Sequence, residues 1–414
     1  MGLRMTKGAA PATPAANKTE FFIDSNRRAC TIDDNGVISV LNHNGLDERN
    51  IIVNGGFNVQ QKVAVASTAI AGVSTTTRAG VVSDAWSVTT SVATNLNWQQ
   101  VDTGSAPDTG LDSRYYGSII AATAGKKVMI SQWILNEDMR HLLGKKVRVS
   151  IKHNMKVGTT KNFKLGLLQL TSAGTIDTSP AFLSGAWSVN NGTDPAWNTN
   201  IAAITPDASP TGENGTISGA YLTCATVENT WTKSSCVFTV PTNAKNLVMV
   251  FFADATGGTT DNVSVAEAQI TIGTEVVDYI EPPFTENLNR CLRRFCKSTP
   301  LTVVCAASLS EATAGSGAVG MIGKAGATVL AANYPIMFKV EMFRVPTVTF
   351  FTPVTTGAQC YRFSGAAAAA QSATAARASS TTTKGVVVTA TGDAAGTVGD
   401  LVGVHYTASA EIVA

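Results

Sequence analysis

Two tryptophans, Trp187 and Trp197, lie in a polar stretch that also contains Asn190, Asn191 and Asp194. A flat aromatic ring can stack on the C–H face of a sugar, while amides and carboxylates beside it bond the sugar hydroxyls. The stretch therefore predicts a sugar-contacting surface at Trp187 and Trp197. The alternative is that both rings pack the surrounding loops against themselves.

A third tryptophan, Trp98, stands directly before Gln99 and Gln100. This is the same combination of a ring and side-chain amides, so Trp98 is also a candidate sugar contact. It falls within the predicted strand 95–101, however, and a strand tryptophan can equally belong to a core. The other three tryptophans lie in or beside predicted strands and are expected in the core: Trp86, Trp133 and Trp231.

The sequence contains no recognisable catalytic pattern. Glu137 and Asp138 are adjacent and lack a second carboxylate at a defined spacing, although a glycosidase pair can also assemble from separate strands. None of the histidines lies near a serine or cysteine nucleophile pattern; they are His43, His141, His153 and His405. We expect a protein that is not an enzyme, with a glycan depolymerase as the less favoured alternative.

Composition excludes several other classes of function. The net charge of +2 is too small to indicate a nucleic-acid-binding surface. No apolar run approaches the ~20 residues that span a bilayer, and residues 1–7 lead into no secretory signal, so we expect a soluble chain made in a cytoplasm, without membrane insertion. The 7 cysteines form no CxxC pair, which predicts reduced, mostly buried thiols and no zinc site.

A chain of 414 residues with 14% charged residues and many turn residues predicts several all-β domains. Residues 1–18 are expected to form a flexible arm, and residues 19–41 a small β-meander that needs a partner to bury its apolar face. The stretch Asn50–Asn58 is predicted to be the first strand of a larger sandwich, ending in an Asn-Gly-Gly turn.

That larger domain has the pattern of a jelly roll. Residues 147–152 alternate strictly between apolar and polar side chains, which predicts one face toward the core and one toward solvent. Residues 171–220 fit less well and are expected to form long loops on one side. The predicted organisation is an attachment arm and meander, a jelly roll, a linker helix and a C-terminal β-sandwich, over residues 1–48, 49–283, 284–300 and 301–414.

Several pieces in a fixed order carry a resemblance to known proteins. They are Asn50–Phe57 with Gln60 and Gln61, Asp84–Trp86, Gln132–Ile134, Leu143–Lys145, Trp231, Asp261–Gly273, Cys291–Phe295, Phe338–Thr349 and Ala408–Ile412. Together they resemble bacteriophage virion appendage proteins, meaning tail-fibre or head-fibre proteins, whose middle domain looks like a jelly-roll carbohydrate-binding module. The chain departs from that pattern in its long 171–220 segment and in lacking a coiled-coil shaft.

The resemblance implies a structural calcium ion that joins the first turn to the last strand of the module. The matching residues are Asn54, Gly55, Phe57 and Asp261; the alternative is that Asp261 only makes a turn. It further implies a homotrimer in the virion that joins other virion proteins through its N-terminus. The expected role is a tail-fibre or receptor-binding protein that contacts bacterial surface polysaccharide, with a head fibre or capsid decoration protein as the alternative.

Overall fold

The structure is a computed structural model. It describes residues 20–23, 29–32, 38–40, 50–62, 68–73, 81–90, 94–104, 110–121, 127–155, 163–171, 194–208, 212–225, 227–253, 262–301, 319–322, 329–351, 360–363, 371–373, 375–391 and 401–410. All statements below concern these residues. Trp187 and Asp261, two of the predicted site residues, lie outside them.

The N-terminal strands form a separate three-stranded antiparallel sheet. The strands are β1 (Glu20–Ile23), β2 (Ala29–Ile32) and β3 (Ile38–Val40). Their order is β1-β2-β3, with Phe22 opposite Cys30 and Thr31 opposite Ser39. The predicted small meander is confirmed.

Fourteen further strands and a short helix build the larger domain. The elements are β4 (Thr68–Val73), β5 (Val81–Ser83), β6 (Trp86–Thr90), β7 (Thr94–Asp102), β8 (Tyr115–Ala121), β9 (Val128–Ile134), α1 (Asn136–Met139), β10 (Lys146–Met155), β11 (Phe163–Leu170), β12 (Ile201–Ile204), β13 (Gly215–Ser218), β14 (Tyr221–Cys224), β15 (Thr232–Thr239), β16 (Leu247–Ala253) and β17 (Asn262–Ile272).

These strands form two antiparallel sheets that pack face to face. The first has the order β15-β10-β17-β8-β7-β4, and the second has the order β13-β14-β11-β16-β9-β6-β5, with β12 paired to β11. One apolar cluster between them contains side chains of both sheets, among them Trp98, Val149 and Val265 of the first and Trp86, Leu165 and Phe251 of the second. The domain is therefore a two-sheet β-sandwich, as the sequence predicts.

The alternating run 147–152 lies in β10, and its apolar members Val147, Val149 and Ile151 are fully buried in the sandwich core. The polar members do not all face solvent. Arg148 is also buried, and its Nη1 donates to Ser235 Oγ over 2.7 Å, while its Nε donates to the Thr274 carbonyl over 2.9 Å. The outer face of the first sheet is therefore partly covered by the segment that follows β17.

The stretch Asn50–Asn58 is not a strand, which corrects the sequence prediction. Asn50 Oδ1 accepts hydrogen bonds from the Ile52 and Ile270 amides over 3.0 and 3.1 Å. The Val53 amide donates to Gln132 Oε1 over 2.8 Å, and Gln132 Nε2 donates to the Val53 carbonyl over 2.7 Å. Side-chain amides thus satisfy backbone groups that a neighbouring strand would otherwise pair.

Residues 171–220 are not entirely loop either. They contain the short strands β12 and β13, which extend the second sheet at β11 and β14. The other described residues of this segment lie outside the named strands, as predicted, whereas residues 172–193, which include Trp187, and 209–211 lie outside the described residues.

The C-terminal region is a second β module preceded by a helix. Its elements are α2 (Phe284–Leu292), β18 (Phe295–Lys297), β19 (Val319–Ile322), β20 (Val329–Met337), β21 (Thr347–Phe351), β22 (Cys360–Phe363), β23 (Gln371–Ala373), β24 (Ala375–Thr381), β25 (Gly385–Thr391) and β26 (Leu401–Ser409). A six-stranded sheet centred on β26 and the three-stranded sheet β20-β25-β24 share one apolar cluster. None of the described helices has the length and hydropathy to cross a membrane.

The helix expected as a linker is fixed to the sandwich by hydrogen bonds. Arg290 Nη2 donates to the carbonyls of Asn50 and Ile51 over 3.1 and 2.9 Å. Asn287 is fully buried, and its Oδ1 accepts from the Asn54 amide over 3.0 Å. Because ordered, buried polar contacts join α2 to the first turn of the sandwich, the helix acts as a stiff joint between the two modules.

Candidate functional site

Trp197 is the predicted site residue that the structure places at the surface. It precedes β12, is partly buried, and packs against the outer face of the second sheet. Its Nε1 donates to the Tyr221 hydroxyl over 2.7 Å, and its ring meets Phe252 edge to face, with 6.4 Å between ring centres. One hydrogen bond and one ring contact therefore hold the indole in a single orientation while part of it stays exposed.

Tyr221 is the residue that sequence reasoning missed. It lies on β14, and its ring also meets Phe252 edge to face at 5.1 Å. Gly166 on β11 makes room for it, because a β-carbon there would stand 2.7 Å from Tyr221 Cδ1. Burial raises the pKa of the Tyr221 phenol to about 12, so the group is neutral at physiological pH and serves as a hydrogen-bonding partner.

An ion pair lies beside these rings. Lys164 Nζ lies 2.5 Å from Asp194 Oδ1 and 5.9 Å from the centre of the Tyr221 ring. Asp194 is one of the polar residues that the sequence associates with Trp197, and its side chain is 43% exposed. We call Trp197, Tyr221, Lys164 and Asp194 the aromatic patch. It combines a fixed ring with an ammonium and a carboxylate within one small surface.

Trp98 does not belong to this surface, which corrects its assignment as a candidate sugar contact. It lies on β7 in the sandwich core, is 1% exposed, and packs against Phe57 with 5.6 Å between ring centres. The strand alternation points Trp98 inward because its neighbour across the ladder, Ile119, also faces the core. A sugar cannot reach this ring in the folded protein. Trp86 and Trp133 are buried as predicted.

The described members of the predicted calcium set have backbone carbonyls that already accept hydrogen bonds. The Asn54 carbonyl accepts from Trp86 Nε1 over 3.0 Å, the Gly55 carbonyl from the Ala268 amide over 3.1 Å, and the Phe57 carbonyl from Gln100 Nε2. Calcium favours about six to eight oxygen ligands that include carboxylates. The carboxylate of the set, Asp261, lies outside the described residues, so the calcium site stays a prediction.

The first turn has a packing role. Gly55 approaches β17 so closely that a β-carbon would stand 2.1 Å from the Ala268 carbonyl oxygen. Asn54 and Phe57 adopt positive φ angles of 56° and 57°, which let the chain turn back within four residues. The turn thereby positions Phe57 between Trp86 and Trp98, with ring centres 5.1 and 5.6 Å away.

The two adjacent carboxylates of the sequence analysis are both neutralised by arginines of the joint. Glu137 Oε1 lies 3.1 Å from Arg293 Nη2, and Asp138 Oδ2 lies 3.2 Å from Arg294 Nη2. Both acids belong to α1, and both arginines follow or end α2. These carboxylates tie the sandwich to the C-terminal module.

The fold and the patch define an all-β protein whose sandwich carries a partly exposed aromatic and charged surface. No family model matches the sequence, and no curated protein matches it. Among solved structures, the chain is similar to the enzymatically active domain of tailspike protein 4 from bacteriophage CBA120, with 12% identity over 54% of this chain and 21% of that chain and a TM-score of 0.29. This chain thus spans about a fifth of that protein.

Two similar structures are carbohydrate-binding modules. TmCBM61 in complex with β-1,4-galactotriose is 11% identical over 55% of this chain and 99% of that chain, with a TM-score of 0.26. The CBM22-1 xylan-binding domain of Paenibacillus barcinonensis Xyn10C is 9% identical over 52% of this chain and 100% of that chain, with a TM-score of 0.25.

Proposed function

We propose that the sandwich binds a glycan at the aromatic patch. The observation that carries this proposal is the fixed, partly exposed ring of Trp197, held by the 2.7 Å hydrogen bond to Tyr221 beside the Lys164–Asp194 ion pair. A ring that is already oriented loses little conformational freedom when a sugar stacks on it. The ammonium and the carboxylate can then donate to and accept from neighbouring hydroxyls.

The wider role we propose is a non-catalytic virion appendage that contacts bacterial surface polysaccharide. Three features support it: the order of sequence pieces that resembles phage fibre proteins, the separate sheet β1–β3 as an attachment element, and the ion-paired state of Glu137 and Asp138. The small sheet needs a partner to bury its apolar face, so we also propose a homotrimer that joins the particle through this region. Light scattering on the purified chain would show a mass of three chains, and a stable monomer at micromolar concentration would contradict the trimer.

The test of glycan binding compares two tryptophans of similar burial on opposite sheets. Trp197→Ala removes the ring of the patch, whereas Trp231→Ala removes a partly buried ring that packs against Tyr116 at 5.2 Å over the first sheet. Stacking is worth roughly 0.5–1.5 kcal/mol beyond burial, so Trp197→Ala should weaken binding by about two- to tenfold. Trp231→Ala serves as the matched control and should leave binding unchanged.

Binding is measured first on an array of bacterial surface polysaccharides and then by calorimetry with the glycan that the array retains. Loss of affinity in Trp197→Ala with unchanged folding supports the proposal. Equal affinities of the two variants would show that the glycan does not bind at the patch. A wild-type protein that retains no glycan at all would contradict glycan binding altogether.

A further inference from the structure

A groove of about 740 Å³ lies where the sandwich meets α2. One wall is α2, the opposite wall is α1 with the turn that follows it, and the end is formed by Asn50 and Ile51. This volume is within the range of pockets that bind small ligands, about 300–1,000 Å³. Apart from Ile51 and Pro283, the residues that line the groove have polar or charged side chains.

The helix presents one face to this groove and the opposite face to the protein interior. At about 100° per residue, positions 285, 286, 289, 290 and 293 fall on one side of α2, and all five line the groove. Asn287 and Cys291 lie on the other side and are buried, and Leu292, next to Thr285 around the helix axis, is buried as well. The side of α2 opposite the groove is therefore packed into the protein interior.

The guanidinium groups in and below the groove are already engaged by the protein. Arg293 pairs with Glu137 and Arg294 with Asp138, at 3.1 and 3.2 Å, and Arg290 donates to the carbonyls of Asn50 and Ile51. The two ion pairs join the two walls, whereas Arg290 contacts backbone carbonyls and keeps its positive charge. Because the lining also carries the carboxylates of Glu137, Asp138 and Glu286, charges of both signs line the groove, and a strongly anionic or cationic ligand is not favoured.

The open side of the groove offers hydrogen-bonding groups. Thr285, Asn289 and His141 line it with exposed side chains: a hydroxyl, an amide and an imidazole. Together they can both donate and accept hydrogen bonds. A ligand that matches them is neutral and rich in hydroxyl groups, which is the chemistry of an oligosaccharide.

A smaller pocket beside the groove shares Glu137, Asp138, Arg290 and Arg293 with it and is also lined by Leu135 and Phe343. Leu135 belongs to the apolar cluster that contains Tyr221 and supports Trp197, and Phe343 packs on that cluster. The cluster beneath the aromatic patch therefore extends to the joint between the two modules.

We propose that the groove between α1 and α2 is a second saccharide-binding site for neutral sugar units. This inference rests on the proposed glycan binding, and it adds the joint between the modules as a recognition surface. Two sites on one protein chain raise the apparent affinity for a long polysaccharide, because the second contact forms within a complex that already exists.

The test uses the double variant Thr285→Ala/Asn289→Ala in the full-length chain, alone and combined with Trp197→Ala. Both groove positions are exposed on α2, and alanine favours a helix, so folding should not suffer. The matched control is Thr347→Ala/Thr349→Ala, two exposed threonines on β21 in the C-terminal module. The probes are the polysaccharide that the wild type retains on the array and its di- to tetrasaccharide fragments, measured by calorimetry.

We expect the wild type to bind two short fragments per chain, and each single-site variant to bind one. For the long polysaccharide, the groove variant should lose affinity by about tenfold or more, the combined variant should lose binding, and the threonine control should match the wild type. If the groove variant binds like the wild type while Trp197→Ala is impaired, the groove proposal is wrong and the patch stands. If only the groove variant is impaired, the patch is wrong instead, and absence of any binding overturns both.

Discussion

The burial of Trp98 leads to a prediction that bears directly on where the sugar surface lies. In Gly117→Ala, the new β-carbon would stand 2.1 Å from Cη2 and 2.6 Å from Cζ2 of Trp98. Gly117 on β8 faces the core diagonally across the ladder from Trp98, whose own partner is Ile119. Since the indole is 1% exposed and enclosed by Phe57, it cannot swing away, and such overpacking costs about 1–3 kcal/mol.

Trp98→Phe removes the ring atoms that meet the new methyl group. The substitution is destabilising by itself because it leaves a cavity, but it should relieve Gly117→Ala. The double variant should therefore be more stable than the sum of the two single changes predicts, by a coupling of about 0.5–3 kcal/mol. The measurement is the guanidinium midpoint of the sandwich transition, followed by circular dichroism for the four proteins of the cycle.

Two results would refute this reasoning. Additive effects within about 0.5 kcal/mol would show that the two positions do not share a packed site. A Trp98→Phe protein of unchanged stability but reduced glycan binding would show that Trp98 contacts the sugar. The first outcome would contradict the close packing of Gly117 on Trp98, and the second would contradict the assignment of binding to Trp197 alone.

Three further predictions concern stability. Gly55→Ala should lower the unfolding midpoint by an amount equivalent to about 1–3 kcal/mol, because its β-carbon would stand 2.1 Å from the Ala268 carbonyl oxygen; an unchanged midpoint would contradict the close approach. Burial lowers the pKa of His153 from 6.5 to about 4. On acidification the unfolded state therefore binds the proton first, and about 3 kcal/mol of folding stability is lost as pH falls from 6.5 to 4. His153→Phe should reduce this acid sensitivity in urea titrations, and an identical pH profile would argue against it. Arg293→Ala should cost at most about 1 kcal/mol, since its ion pair with Glu137 is half exposed, and a larger loss of the thermal midpoint would indicate a stronger joint.

Local pattern was sufficient for the class of fold. The strict alternation in 147–152 predicted β10, because a strand with one buried face repeats every two residues. The three apolar runs within residues 19–41, separated by turn residues, predicted the sheet β1–β3 for the same reason. The cysteines at 224, 236, 291 and 296 are free and buried, as their spacing and the expected reducing compartment suggested.

Tertiary contacts decided the features that local pattern could not. Ile51–Val53 has the β-branched composition of a strand, yet Gln132, 79 residues from Val53 in the chain, takes the hydrogen bonds of Val53 with its side-chain amide. Strand propensity does not include such a partner, because the side-chain amide of Gln132 comes close to Val53 only when the sheets assemble.

The same limit applies to the site. Composition marked both Trp98 and Trp197 as rings beside polar groups, but the exposure of each depends on which face of which sheet it meets. Trp98 faces the core between the sheets, whereas Trp197 lies on the outer face, where Tyr221 and Lys164 come from other strands to complete the patch. The sequence alone determined that this is an all-β protein with candidate sugar-stacking rings. Only the packing of the two sheets determined which ring remains accessible, because burial is a property of the assembled layers and not of the residue type.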